Sequence, residues 1–458
     1  MPPHAAGELC SHDGAALVDL DVVLAATEGV LNDAFHFEQI ALTHVLRFAK
    51  VIRSQVLPAE EYISPRFGQG ARRRNRFCLA FLALLIATVD ANAGDLRVGP
   101  GARAWAEAGR GAIRGITIGP IESGLHPGRG YGSAPYRRTL TETEELGATW
   151  VSLTPFGRVA DLAPSGVSLT FEQPFEENRV AVGRAIDQAH EAGLKVLLVP
   201  HLWVESGGWR GELDPGSDDD WSRFARSYRD FLLAWARVAR EHGADMLALG
   251  VELRSLVTTA HAESFVALAR EVRALYPGLL TYASNWDDVD DAVPLGEVDL
   301  IGVNAFFPLT EQSGASTEEL LRGGERVAER LRAVAERWQK PVVLTEFGYT
   351  TRADPALRPW EWPDRMSHVT VDEAAQARAY YGLLAPLMNE PWLAGAFVWR
   401  LYADPQDLSQ EAEWGFSPRG KLAELVLRDA YAAHWAADPP WPIGESLFRD
   451  AAELTGIF

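Results

Sequence analysis

The sequence predicts an α/β protein built as a single (β/α)8 (TIM) barrel. Three observations lead there. Short apolar runs recur eight times from Arg114 onward, and most are followed by a loop and then an amphipathic stretch. The runs are almost uninterrupted in their apolar character, as parallel strands covered on both faces are. No Gly-x-Gly-x-x-Gly or Gly-Lys-Ser/Thr turn follows any of them, which weakens an open doubly wound sheet as the alternative. Eight such units in roughly 300 residues suit a barrel.

The strands are expected at Gly115–Ile118, Trp150–Thr154, Lys195–Pro200, Met246–Gly250, Leu280–Ala283, Leu300–Asn304, Val342–Thr345 and Ala396–Trp399. Helical spacing of apolar residues marks Glu177–Ala192, Trp221–His242, Ala262–Leu275, Thr317–Gln339 and Val371–Met388. Stop signals close several of these: Ala192-Gly193, His242-Gly243 and Tyr276-Pro277-Gly278. Asp218-Asp219-Asp220 reads as a helix N-terminus, where negative charge meets the positive end of the dipole. A calcium loop would need more oxygen ligands at set spacing. Residues 421–458 read as a closing helix and a Trp/Pro-rich tail of the same catalytic domain, 111–458.

The front end differs. Residues 72–93 carry a basic head, an apolar run from Phe77 to Val89, and small residues at Ala91 and Ala93, the pattern of a secretory signal peptide. A short buried helix is the alternative, but such helices seldom open with four arginines. No Met lies between Met1 and Met246, so translation is expected to start near Val51, Val56 or Leu57. Residues 1–71 would then be an extension upstream of the true start, or else a disordered tail. Residues 94–110 read as a linker. The expected location is secreted or periplasmic, with no membrane insertion after signal cleavage.

Composition narrows the chemistry. With 458 residues, 47% hydrophobic and 23% charged, the chain is ordinary globular material, neither collagen-like nor multi-span. A net charge of −20 repels phosphates, which argues against nucleic acid as a partner. Both cysteines, Cys10 and Cys78, precede the barrel, so a thiol nucleophile, an iron–sulfur cluster and a cysteine zinc site are excluded from it. Only four of the 43 basic residues are Lys, a bias that fits a GC-rich coding sequence.

In a barrel of this kind, functional residues follow the C-terminal ends of the strands. Taken in order these are Glu122; Pro155-Phe156; His201, Trp203 and Glu205; Glu252; Asn285, Trp286 and Asp287; Asn304, Phe306 and Phe307; Glu346 and Tyr349; and Trp399, Arg400, Tyr402 and Asp404. Glu252 and Glu346 each close an apolar strand, and burying two carboxylates is costly unless something uses them. Strands four and seven face each other across the barrel. A carboxylate pair flanking a glycosidic bond is the apparatus of glycoside hydrolysis. Trp203, Trp209, Trp286, Phe306, Trp360, Trp362, Trp399 and Trp414 offer flat faces for sugar rings.

Plainer readings stand beside these. Glu346 would pair with Arg400 or Arg114, and Glu252 with Arg254 or a neighbouring loop. His201 would be a satisfied structural histidine, and the loop tryptophans would pin loops to the barrel.

The sequence resembles glycoside hydrolase family 113, typified by β-1,4-mannanases, within the clan A retaining hydrolases. The matching residues run Leu249-Gly250-Val251-Glu252-Leu253, Leu280 to Trp286, Leu300 to Leu309, Lys340 to Tyr349 and Gly395 to Trp399. The resemblance spans about Arg114 to Tyr431. It implies Glu252 as acid/base and Glu346 as nucleophile, with net retention and the carboxyl oxygens about 5–5.5 Å apart. It implies a polysaccharide or oligosaccharide substrate, with β-1,4-mannan first, and no cofactor and no metal. Substrate contacts are expected from His201, Trp203, Asn285, Trp286, Asn304, Phe306, Tyr349 and Trp399. The chain departs from the clan at Val251, where most members have Asn, and at Asn304 and Phe306, where related sequences often have Asp and Tyr. Two alternatives stay in view: a transglycosidase on an envelope glycan, which a hydrophobic, Trp-rich acceptor side would favour, and a non-catalytic carbohydrate-binding scaffold, which Val251 and Phe306 would favour.

Overall fold

The computed structural model describes residues 113–119, 128–171, 173–362, 369–388, 390–406 and 413–431. The chain divides into two units, Met1–Asp95 and Leu96–Phe458, and every described residue lies in the second. The expectations for residues 1–71, 72–93, 94–110 and 432–458, and for Glu122, fall outside the described residues.

The strands are β1 (Ile113–Gly119), β2 (Trp150–Leu153), β3 (Phe156–Val159), β4 (Lys195–Leu198), β5 (His201–Val204), β6 (Met246–Val251), β7 (Leu279–Asn285), β8 (Leu300–Asn304), β9 (Val342–Phe347) and β10 (Leu393–Tyr402). Eight of them close into a barrel in the order β1-β10-β9-β8-β7-β6-β4-β2, and all of the pairings are parallel. The helices are α1 (Ala134–Glu145), α2 (Phe175–Glu191), α3 (Asp218–Glu241), α4 (Arg254–Val257), α5 (Ala262–Leu275), α6 (Thr317–Trp338), α7 (Glu373–Leu387) and α8 (Leu422–Tyr431). All eight expected barrel strands form. Among the described residues no helix is long and apolar enough to cross a membrane.

Local chemistry sets the helix ends. Ser217 caps α3 in a capping box with Asp220, so two backbone donors are satisfied reciprocally, and three aspartates line the first turn. Ser316 and Glu319 repeat the device at α6. The buried face of α3, including Phe224, Tyr228, Phe231 and Trp235, covers the outside of the barrel. Ile113, Trp150, Leu197, Met246, Leu300, Val343 and Phe397 belong to one buried apolar cluster. Where β1 meets β10, Gly395 has φ +149°, and a Cβ there would lie 1.9 Å from the Ile113 carbonyl oxygen. Only glycine lets the two backbones close the barrel at that point.

Two strands lie outside the expected set. β3 and β5 pair with each other in a separate two-stranded parallel sheet. The apolar runs before them extend to Thr154 and Pro200, but β2 ends at Leu153 and β4 at Leu198. Pro155 and Pro200 lack the N–H that the barrel ladder needs, and the chain continues as a second small sheet above the rim. His201 therefore opens a strand of its own instead of starting a loop.

Candidate active site

Glu252 follows β6 directly, and its backbone N–H donates to the Ala283 carbonyl at 2.8 Å. Its φ is +52°, a left-handed conformation that costs a non-glycine residue about 1–3 kcal/mol. The residue is only 8% exposed, and three N–H donors converge on its carboxyl group. Asn304 Nδ2 donates to Oε1 at 2.9 Å. Trp209 Nε1 and Arg210 Nη1 donate to Oε2 at 2.9 and 3.0 Å. A carboxylate accepts all three, whereas a carboxylic acid would have to turn its own proton away from them.

These partners are held in turn. Asn304 Oδ1 accepts from the Thr345 hydroxyl at 2.9 Å, so Asn304 is fixed at both ends of its amide. Arg210 Nε donates to the Leu202 carbonyl at 3.0 Å, which ties the Trp209–Arg210 turn to β5. Arg254 lies over the Trp209 ring, 4.4 Å from its centroid. Gly211 permits this fold-back, because a Cβ there would sit 2.3 Å from the indole.

Glu346 lies within β9, in register with Asn304 of β8. It is 6% exposed, and its Oε1 meets His201 Nε2 at 3.2 Å. Burial pushes the Glu346 carboxyl up from the usual range, and the charge of Glu252 pushes the same way. The hydrogen bond and charge of His201, and the charge of Arg210, pull it back down. His201 is 2% exposed, with Nδ1 2.9 Å from the Val199 carbonyl oxygen and its ring 6.1 Å from that of Trp399.

The structure thus brings Glu252, Glu346, His201 and Asn304 into one contact network, with Trp399 beside it. The other expected contacts are distributed around it. Trp203 is 49% exposed and packs edge-on against Phe156 and Phe171 at the β3/β5 rim. Trp286 stacks on Trp360, which is 48% exposed, with centroids 5.1 Å apart. Asn285 is engaged locally, donating to Asp287 at 2.7 Å. Phe306 is buried edge-on against Phe416, and Tyr349 is wholly buried against Tyr380, so both stand in the wall behind the open surface. Arg400 lies over Trp399, 4.6 Å from its centroid, and occupies one face of that ring.

The plainer readings resolve by geometry. Arg254 pairs with Asp287 and Asp288 and not with Glu252. Arg400 bonds Tyr402, and Arg114 donates to the Tyr431 carbonyl. Asp404 is held by Arg129, and Glu205 pairs with Arg158. Sequence reasoning does not mark Arg210, whose only signal is its place beside Trp209 in a loop after a barrel strand. It does not mark Asp288 either. That residue is buried against Arg254, and burial raises its carboxyl to about 7.

A family model described as Glycoside Hydrolase Family 113 matches residues 126–421. The structure of a GH113 β-mannanase from Alicyclobacillus acidocaldarius, in complex with ManMIm, is similar with a TM-score of 0.60 at 26% identity, covering 71% of this chain and 98% of that one. Two structures described as GH113 β-1,4-mannanase have TM-scores of 0.61 and 0.60 at 21% and 22% identity, each covering 71% of this chain and 100% of the other. No curated protein matches the chain.

Proposed function

The chain belongs to glycoside hydrolase family 113, and from that premise we propose that it is an exported retaining β-mannanase with Glu346 as nucleophile and Glu252 as acid/base. The observation that carries the assignment is the pair itself. Two nearly buried carboxyl groups end neighbouring parts of one network, each matched by its own cationic or donor partners. Such burial is costly in a residue that only supports the fold.

In the first step a Glu346 oxygen attacks the anomeric carbon. The glycosidic C–O bond breaks, its electron pair goes to the leaving oxygen, and that oxygen takes a proton from Glu252. In the second step Glu252 removes a proton from water as the water oxygen attacks the same carbon. The ester bond breaks, Glu346 recovers its electron pair, and Glu252 is again protonated. To act as acid, Glu252 must take up a proton and exchange a donor at Oε2. A sugar ring that displaces Trp209 or Arg210 makes room for that exchange.

Mannan is the substrate supported by the three similar structures, all described as β-mannanases. The exposed rings of Trp203 and Trp360 offer apolar faces to further sugar units along the chain. Export is supported by the signal pattern of residues 72–93.

The test is reducing-sugar release on β-mannan, glucomannan, β-glucan, xylan, chitosan and peptidoglycan, with Glu346→Gln as control. Release from mannan that the variant loses, with the β-anomer as first product by NMR, is the expected outcome. Release from another polysaccharide alone would replace mannan. A first-formed α-anomer would overturn retention, and silence on every substrate from folded protein would overturn the hydrolytic reading.

A further inference from the structure

Two donors share Glu252 Oε2: Trp209 Nε1 and Arg210 Nη1. The glycosidic oxygen must take the place of one of them when Glu252 acts as an acid. What holds each donor decides which one yields. Arg210 reaches Glu252 on a flexible side chain, whose other bond runs from Nε to the neutral Leu202 carbonyl at 3.0 Å. Its positive charge also opposes the proton that Glu252 must take up.

Trp209 is held more firmly. Its ring lies against Gly211, where a Cβ would come within 2.3 Å of it. The Arg254 guanidinium covers the ring at 4.4 Å from its centroid. That guanidinium is fixed in turn. Nη2 pairs with Asp287, and Nε donates to Asp288 Oδ2 at 3.3 Å. Asp287 accepts from Asn285 Nδ2 at 2.7 Å, and the Asp288 backbone N–H donates to the Asn285 carbonyl at 3.2 Å. Both acids are therefore tied to the end of β7, and Asp288 is buried there. A planar guanidinium offers its edge to two carboxylates while its face covers an indole, whereas a lysine ammonium is a point charge without that geometry.

We propose that Arg254 is a positioning residue: braced by Asp287 and Asp288, it fixes the Trp209 indole as the donor that stays on Glu252, and Arg210 is the donor that yields to substrate. The inference rests on the assignment of Glu252 as acid/base for its functional meaning, though not for the brace itself. Arg254 pairs with the two aspartates and acts on Glu252 through the indole. The β7 loop thereby sets the orientation of a carboxyl group that follows β6.

Hydrogen exchange of the Trp209 indole N–H, followed by NMR, reads the brace without any turnover. Its signal is the one of fifteen that is missing from Trp209→Phe. Arg254→Met is expected to speed that exchange about tenfold, and Arg254→Lys to speed it by less. Arg254→Met/Asp288→Asn strands no buried acid and gives the same reading if the single variant does not fold. Unchanged exchange in folded protein would overturn the proposal. In Glu346→Gln, bound mannotriose should leave the Trp209 N–H protected. Loss of protection on sugar binding would make Trp209 the donor that yields, and would overturn the proposal as well. Kinetics separate positioning from a general structural role, because a dinitrophenyl leaving group departs without a proton. Arg254→Met should lower kcat/KM about tenfold on mannotetraose but less than about twofold on dinitrophenyl β-mannobioside. Equal losses on both would show a merely structural arginine and overturn the proposal. If the wild-type protein hydrolyses neither substrate while the exchange changes as expected, the brace stands and the hydrolytic reading fails.

Discussion

Asn304→Ala probes the network most directly, because this one side chain links the Glu252 carboxylate to Thr345, the residue before Glu346 in β9. It is wholly buried, donates to Glu252 at 2.9 Å and accepts from Thr345 at 2.9 Å. A hydrogen bond to a charged group contributes about 1.5–3 kcal/mol and a neutral one about 0.5–1.5 kcal/mol. Glu252 keeps its two donors at Oε2, so the combined loss is expected at about 3 kcal/mol. For a large single domain that lowers Tm by about 6 °C. Glu252 also sits on a left-handed backbone, and Asn304 is its one donor at Oε1 among the described residues. Loss of orientation in the transition state by the same amount lowers kcat/KM about 100-fold. The assays are thermal unfolding and hydrolysis of mannan oligosaccharides, with Thr345→Val as the partial variant that removes only the outer bond. Its effect should be smaller in both assays. A change under about 0.5 kcal/mol with a loss of activity under threefold in Asn304→Ala would refute the claim that Asn304 fixes Glu252.

Three further outcomes follow from the same geometry. Gly211→Ala places a methyl 2.3 Å from the Trp209 indole, so the ring must leave Glu252; activity should fall at least tenfold, and loss of a hydrogen bond to a charged group should lower Tm by about 3–6 °C, as steady-state kinetics and calorimetry together will show. Asp288 is expected to make stability fall as pH rises, because its folded value of about 7 exceeds the ordinary 3.8: the protonated form dominates in the fold below about 7, and its contribution, up to about 4 kcal/mol, disappears as pH climbs through that range. Urea midpoints at pH 5 and pH 8 should differ in the wild type and nearly coincide in Asp288→Asn. Gly395→Ala puts a Cβ against the Ile113 carbonyl where φ is +149°, and a destabilisation of about 3 kcal/mol or more is expected in denaturant melts.

Much of the scaffold is legible in the sequence because it is periodic. Each barrel strand is an apolar run covered on both faces, and each long helix carries a buried stripe, so spacing alone marks them. β3 and β5 are not legible. Four residues span only two repeats of the strand period, and whether they pair depends on where Pro155 and Pro200 send the chain. Glu252 and Glu346 can be picked out because a carboxylate at the end of an apolar strand is anomalous in one dimension as well as three.

The amino-acid sequence by itself determined the barrel, its order of strands and helices, and the two glutamates at its mouth. Tertiary structure decided what those glutamates touch. Arg210 reaches Glu252 because the turn after Trp209 folds back onto Leu202, while Arg254 is drawn away to Asp287 and Asp288. His201 reaches Glu346 across 145 residues of sequence because a second small sheet lifts it above β4. Periodicity is a property of neighbours along the chain, so it can be read there. Hydrogen bonds between loops depend on angles and distances that only the closed barrel sets.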